Sequence, residues 1–260
     1  MKKWTIGACL ILLTSCYYQD ANIRHSEASS EWTMDSTTHF KLHAQKGVRS
    51  EESLKTIGAK MEGIQQDLLG ILQEEKETNM DVFFLKDRET LASYTGFAAN
   101  GYTNTQKSII YFVDKDPFHL PLKHELMHAL SWRLWGNPSG YWMSEGMAVF
   151  ASGGCSGYNL HALSHDMNQQ GKLASFPKLL ENFDFKSPDP SLQSASMVLD
   201  IYDTYGVKAL KGFWVKGWWK AQDIIGITPD ELEKRWRKHI EQEKFEANVD
   251  WEQFESSGCE

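Results

Sequence analysis

The longest regular pattern in the chain runs from Glu52 to Glu77, where Leu54, Ile57, Met61, Ile64, Leu68 and Ile71 recur at steps of three and four. That is the spacing of one helical face, and it predicts a long amphipathic helix whose stripe is plain core packing. Ahead of it, Phe40, Leu42 and Ala44 alternate within Thr38–Ala44, the period of a strand with one buried face. Asp81-Val82-Phe83-Phe84-Leu85 is a compact apolar run that predicts a buried strand, followed by a short helix over Asp87–Tyr94. Gly96–Tyr102 and Ser108–Val113 flank Asn104-Thr105-Gln106-Lys107 and predict a hairpin with one strand at a sheet edge.

Past this point the pattern turns helical. Pro121 suits the first turn of a helix carrying Leu122, Leu126, Ala129 and Leu130, and Gly136 suits its end. Gly136-Asn137-Pro138-Ser139-Gly140 is a dense turn signal after which a second helix can fold back. Further helices are predicted over Asn159–Gln170, Phe176–Phe183, Ser191–Tyr205 and Val207–Ala221. Thr228-Pro229-Asp230-Glu231 opens a last one with a capping box and proline in its first turn. The expectation is an α+β chain: a small mixed-sheet lobe with helices over 37–115, a mainly helical lobe over 116–250, and a tail over 251–260.

Residues 1–36 read differently. Met1-Lys2-Lys3 is a basic start, Trp4–Leu13 is largely apolar but too short for a comfortable membrane span, and Leu13-Thr14-Ser15-Cys16 resembles a bacterial lipobox. The resemblance implies cleavage after residue 15 and lipid on Cys16; an ordinary signal peptide with an incidental cysteine is the alternative. Tyr17 after the cysteine implies the outer membrane where two membranes exist. Tyr17–Ser36 is polar without periodicity and reads as a tether, so 16–36 is expected to link lipid to domain.

With 27 Lys and Arg against 35 Asp and Glu the chain is acidic, and no basic run offsets this, which argues against nucleic-acid binding. Hydrophobic residues at 41% predict a folded chain. Of four cysteines, Cys155 and Cys259 would remain for a disulfide or as free thiols. Nothing sets the oligomeric state.

The candidate chemistry centres on His124-Glu125-Leu126-Met127-His128. Two histidines four apart leave one face of a helix and can close on one ion, zinc being the expected cofactor. Glu125 follows the first histidine and is placed to take a proton from water rather than to ligate. Glu145, in Trp142-Met143-Ser144-Glu145-Gly146, is the candidate third ligand on the returning helix. Three protein ligands with one open position make a catalytic rather than a structural zinc site.

The paired motifs, H-E-x-x-H followed by W-x-x-E-G, resemble the gluzincin metallopeptidases and are closest to the bacterial peptidase MA-like domains. The resemblance extends over Thr38–Lys244 and is sharp at the two metal motifs; Gly171-Lys172-Leu173, Gln193-Ser194-Ala195-Ser196-Met197 and Asp203-Thr204-Tyr205-Gly206 look like weaker landmarks. It implies a zinc site in a cleft between the lobes, a peptide or protein substrate, and substrate backbone laid along the strand beside the metal helix, for which an ordinary sheet strand is the alternative. Two departures matter. Family members often carry a tyrosine shortly before the Q-S-x-S segment, where this chain has Ser191 and Leu192. Tyr158, His161, His165, Tyr202 and Tyr205 are candidates for the oxyanion role that tyrosine would serve, with an ordinary partly buried polar role as the alternative. Val149 stands where thermolysin-like enzymes have an aspartate behind the histidines, so another group must orient them. The aminopeptidase element G-x-M-E-N is absent, which favours endopeptidase action or a specificity that the sequence does not spell out.

Two rival readings come from other segments. Gly153-Gly154-Cys155-Ser156-Gly157 has the spacing of a nucleophile elbow with Cys155 as nucleophile and His161 or His165 as base, and would need Ala148–Ala151 to be a strand. Phe213-Trp214 with Trp218-Trp219 could form a glycan or bilayer contact surface on a non-enzymatic, lipid-anchored binding protein, unless helical spacing simply buries them. The reading adopted is a membrane-anchored zinc metallopeptidase of the cell envelope.

Overall fold

The structure is a computed structural model that describes residues 31–114, 120–154, 158–185, 187–242 and 249–251. Cys16, Cys155 and Cys259, and with them the leader, lipid and disulfide expectations, lie outside the described residues. The α+β expectation holds. Strands β1 (Trp32–Ser36), β2 (Phe40–Gln45), β3 (Met80–Leu85), β4 (Gly101–Asn104) and β5 (Ile109–Val113) form one mixed sheet in the order β1-β2-β3-β5-β4. The inner pairs β2/β3 and β3/β5 are parallel; the edge strands β1 and β4 pair antiparallel.

Strand periodicity sorts the two faces of this sheet. Phe40, Leu42, Ala44, Val82, Phe84, Ile110 and Phe112 point to one side, where α1 (Glu51–Leu72) lies. Phe83, Leu85, Tyr111 and Val113 point to the other, under α2 (Arg88–Thr95). A strand buried on both faces needs a nearly continuous apolar run, which is what Val82–Leu85 supplies. Ser50 caps α1 by accepting from the Ser53 amide, and Asp87 does the same for α2 at 2.7 Å. The first helix stops at Gln73 in a left-handed cap, earlier than the apolar spacing suggested.

Other boundaries also differ from expectation. Trp32–Ser36, read as tether, is a strand hydrogen-bonded to β2 in the register Trp32↔Gln45 to Ser36↔Lys41. As an edge strand it is half-buried, so polar residues along it cost little and disguise it. The first hairpin strand begins at Gly101 rather than Gly96. Trp251, placed in the tail, docks instead: its indole N–H donates to Asp166 Oδ2 and Lys172 lies 4.4 Å above its ring.

The helical half contains α3 (Leu122–Trp135), α4 (Tyr141–Ala151), α5 (Leu160–Gln169), α6 (Phe176–Glu181), α7 (Asp189–Lys216), a 3-10 turn over Trp218–Lys220, α8 (Ala221–Ile225) and α9 (Pro229–Glu241). The long α7 kinks at Gly206, the position where two separate helices were expected to meet. It packs along α4, and Gly146 makes this approach possible: a Cβ there would sit 3.0 Å from the Ser194 carbonyl carbon and oxygen. Phe213, Trp214 and Trp218 are buried, so the aromatic cluster is mainly core, with Trp219 left exposed. Residues 148–151 are helical, which removes the strand that a nucleophile elbow at Cys155 would need. One buried cluster runs from Phe40 on β2 to Ile240 on α9, so the sheet half and the helical half share a core.

A charged network ties the residue before β2 to α1 and to the segment that follows it. His39 Nδ1 lies 2.7 Å from Glu62 Oε2 and its Nε2 lies 2.8 Å from Glu77 Oε2, so both ring nitrogens face carboxylates and the imidazolium is favoured. Its hydrogen bond to Glu62 raises the His39 pKa above 6.5 against the opposing effect of burial. For Glu62 burial works upward, but the hydrogen bonds from His39 and Thr37 outweigh it and bring the pKa below 4.5. Stability from His39 is full below 6.5 and lost as pH rises through the raised value. Stability from Glu62 is full above 4.5 and lost as pH falls through the lowered one. The His39→Ala protein is therefore expected to be less stable than wild type by about 1 kcal/mol near pH 5.5, with the gap shrinking at a pH above the raised His39 value. Urea unfolding of both proteins at the two pH values checks this; a gap that stays constant or widens at high pH contradicts it.

Candidate metal centre

His124 and His128 sit one turn apart on α3, and both turn their Nε2 atoms to the same point, 3.2 Å from each other. Glu145 on α4 meets them there, Oε2 at 3.6 Å from His124 Nε2 and Oε1 at 3.6 Å from His128 Nε2. The meeting is arranged by the turn between the helices. Ser139 donates from its amide to the Trp214 carbonyl at 2.6 Å and from its hydroxyl to the Phe213 carbonyl at 2.9 Å. The Trp214 indole donates back to the Gly136 carbonyl at 2.8 Å. These bonds pin residues 136–139 to the end of α7 and direct α4 back along α3.

The donor set fits a tetrahedral zinc ion. Bonds of about 2.0–2.1 Å at tetrahedral angles place neighbouring ligand atoms about 3.3 Å apart, close to the separations of 3.2 and 3.6 Å found here. The side chains also have the right protonation. Burial pushes the pKa of both His124 and His128 down to about 4, so at neutral pH they present lone pairs. Burial raises Glu145 as well, with His124 pulling in the other direction. A cation at this point would compensate the buried carboxylate.

Ser144 lies behind His128, where Val149 offers no carboxylate. Its Oγ is 3.2 Å from His128 Nδ1 and 3.4 Å from Trp132 Nε1. With Nε2 on an ion at the shared point, Nδ1 would carry the proton and donate to Ser144, which would hold the ring plane. Ser144 was missed in the sequence, although its place next to Glu145 in the W-x-x-E-G segment was a usable signal.

Glu125 does not join the three donors. It is buried beside the edge strand β4, where Thr103 Oγ1 donates to its Oε2 at 2.7 Å. Gly101 on the same strand leaves room for this carboxyl: a Cβ there would lie 2.5 Å from Glu125 Oε1 and would force the side chain to shift. Burial raises the Glu125 pKa to about 8, the Thr103 hydrogen bond lowers it, and Glu145 raises it further. A carboxyl group poised this near neutrality can accept and release a proton. Thr103 and Gly101 had no sequence signal beyond the strand itself.

The contacts described for the five candidates for the oxyanion role are with groups other than these three donors. Tyr158 packs with Val149, Leu160 and Leu163. His165 Nδ1 lies 2.9 Å from the Ile240 carbonyl, the Tyr202 ring is 5.2 Å from Phe150, and Tyr205 accepts from Arg235 at 3.4 Å. His161 belongs to a second group with Asp200 and His239. There Asp200 Oδ1 and His239 Nδ1 are only 2.6 Å apart, and His161 Nδ1 is 2.8 Å from Ser196 Oγ, to which Trp236 Nε1 donates at 2.9 Å. A 2.6 Å contact is an N–H···O hydrogen bond and is shorter than the tetrahedral edge, so this group is a polar clamp joining α5, α7 and α9.

Among solved structures, the chain is similar to a mutant M1 zinc metallopeptidase from Deinococcus radiodurans, with a TM-score of 0.47 and 15% identity over 84% of this chain and 53% of that one. The same mutant bound to a Tyr-Ser-Ala substrate gives a TM-score of 0.45 at the same identity and coverage. The chain thus spans about half the length of these proteins. No family model matches the chain, and no curated protein matches it.

Proposed function

We propose that the protein is a zinc-dependent peptidase. The observation that carries this reading is the convergence of His124 Nε2, His128 Nε2 and the Glu145 carboxylate at separations of 3.2 to 3.6 Å, with the buried Glu125 outside the donor set. Zinc held by these three residues supplies Lewis acidity for a peptide carbonyl and makes water a better acid. Glu125 would take a proton from the attacking water and return it to the leaving amine, while Thr103 keeps its carboxylate oriented through Oε2. Ser144 keeps His128 in the tautomer that ligates through Nε2. The expected result is one zinc per chain by elemental analysis, together with chelator-sensitive cleavage in a peptide-library digest read by mass spectrometry. Protein that holds no metal after reconstitution would remove the reading. Zinc without any cleavage would favour the non-enzymatic envelope protein instead.

The same proposal extends to location. The Leu13-Thr14-Ser15-Cys16 segment supports processing before Cys16 and lipid attachment there, anchoring the mature chain in a bacterial envelope. Intact-mass measurement of the membrane fraction reads this directly: a mature chain that starts elsewhere, or whose Cys16 has no added acyl mass, makes it a secreted protein.

A further inference from the structure

Six large hydrophobic side chains are strongly exposed among the described residues, and three of them, Tyr141, Phe185 and Trp219, gather around the first turn of α4. Tyr141 and Phe185 meet edge-to-face with ring centroids 4.7 Å apart, and Phe183 joins them at 5.1 Å from Phe185. Tyr141, Phe183 and Trp219 border a pocket of about 280 Å³ whose floor includes Trp142 and Trp218, both buried. These floor residues are held by core contacts: Trp218 stacks on Phe176 at 4.2 Å, and Trp142 meets both rings edge-on. The pocket is therefore a formed concavity with an aromatic rim.

Among the described residues, Lys216 is the only charged side chain lining the pocket. We propose that this pocket docks an extended peptide segment in which an aromatic side chain is flanked by carboxylates. The aromatic group fills the space between Tyr141 and Trp219, and the acidic neighbours meet Lys216. Three features select this partner. The polar side chains among the lining residues are the Lys216 amine, the Ser139 hydroxyl, which already donates to the Phe213 carbonyl, the Tyr141 hydroxyl and indole N–H groups; with no carboxylate or carboxamide among them, a sugar would find few acceptors for its hydroxyls, whereas a carboxylate finds donors. A bilayer calls for a projecting face with several free cations, whereas this surface is concave and the nearby Lys220 is paired with Asp223 at 3.5 Å. The exposed aromatics surround a preformed hollow sized for one large side chain, the pattern of a peptide anchor site.

The test is a binding titration of full-length protein with an acetylated, amidated heptapeptide carrying one Phe between two Asp, in the presence of a metal chelator so that cleavage cannot deplete it. Its controls are the same peptide with Lys in place of Asp, an N-acetylglucosamine tetramer and anionic phospholipid vesicles. Trp219→Ala and Lys216→Glu alter exposed side chains and are expected to leave the melting temperature unchanged. Trp219→Ala is expected to weaken the acidic peptide at least about tenfold. Lys216→Glu is expected to weaken the acidic peptide similarly and to strengthen the lysine-flanked one, a reversal that no loss of folding can mimic. Acidic-peptide binding that is absent, that is equal in wild type and both variants, or that is exceeded by the tetramer, the vesicles or the lysine peptide overturns the proposal. None of these outcomes depends on whether the chain is a peptidase.

Discussion

The Glu125→Gln protein is expected to retain its zinc and to lose peptide hydrolysis by about 10²- to 10⁴-fold in kcat/KM. Glutamine is nearly isosteric, and its carbonyl oxygen can still accept from Thr103 Oγ1, where Glu125 now accepts at 2.7 Å. The fold around β4 should therefore survive, including the close approach of Gly101. What disappears is a group able to gain and lose a proton. In the metal-free protein, burial holds Glu125 at about 8, and a cation bound by the neighbouring donors would bring that value down, leaving a base at neutral pH. The variant has no such group at any pH. Elemental analysis and turnover on a cleaved peptide are measured together: zinc at one per chain with wild-type turnover sinks the proton-transfer role. Loss of zinc would instead move Glu125 into the donor set. Thr103→Val offers a graded companion, since it removes an orienting hydrogen bond but leaves the carboxyl, and a smaller fall in rate is expected.

Where local periodicity and local chemistry agreed, the fold was legible. The spacing of Leu54, Ile57, Met61, Ile64 and Leu68 marked α1 because that helix buries a single stripe against a sheet. Thr228 marked the start of α9 through a capping bond that involves only neighbouring residues, its hydroxyl accepting from the Glu231 amide at 3.2 Å. Gly206 marked the kink in α7. The strand Trp32–Ser36 was not legible, since its stability comes from pairing with β2 and it buries too little of itself to leave an apolar signature. The end of α1 at Gln73 was overrun for a related reason: Gln73 adopts a left-handed cap that its side chain does not announce.

The candidate site divides along the same line. His124 and His128 share a face by helical geometry alone, and Glu145 was reached because a dense turn signal separates the two helices; all three meet in the structure. The groups around them could not be read, because each reaches the site through tertiary contact. Thr103 is 22 residues from Glu125 in sequence and touches it only because β4 lies beside α3. Ser144 is 16 residues from His128, and its role depends on the orientation of α4. His161 shows the converse. Its residue type suggested chemistry, but its Nδ1 faces Ser196 within the clamp that also holds Asp200 and His239. Residue type proposes a role, and only the surrounding contacts decide it.

The largest effect on zinc is expected for His128→Ala, which leaves two of the three donors. A tetrahedral zinc keeps its affinity by sharing charge among all its protein ligands, so the loss should exceed the about 10- to 100-fold associated with removing a supporting hydrogen bond. Ser144→Ala supplies that comparison within the same protein, because it takes away the contact at His128 Nδ1 and leaves all three donors in place. Stability should divide the two variants in a second way. Without metal, wild type partly buries two imidazoles and a carboxylate whose pKa values are all shifted by desolvation toward the neutral form, an arrangement that opposes folding. Metal-free His128→Ala is therefore expected to lose little stability compared with a typical buried substitution. Zinc should stabilise wild type by about 2.7 kcal/mol when its free concentration is a hundred times Kd. At the same free zinc concentration Ser144→Ala should show a reduced gain, and His128→Ala almost none. Thermal melts across a zinc titration, buffered so that free metal is known, read all three proteins on one scale. A His128→Ala melt that rises with zinc as far as wild type would mean that the ion is held somewhere other than between α3 and α4.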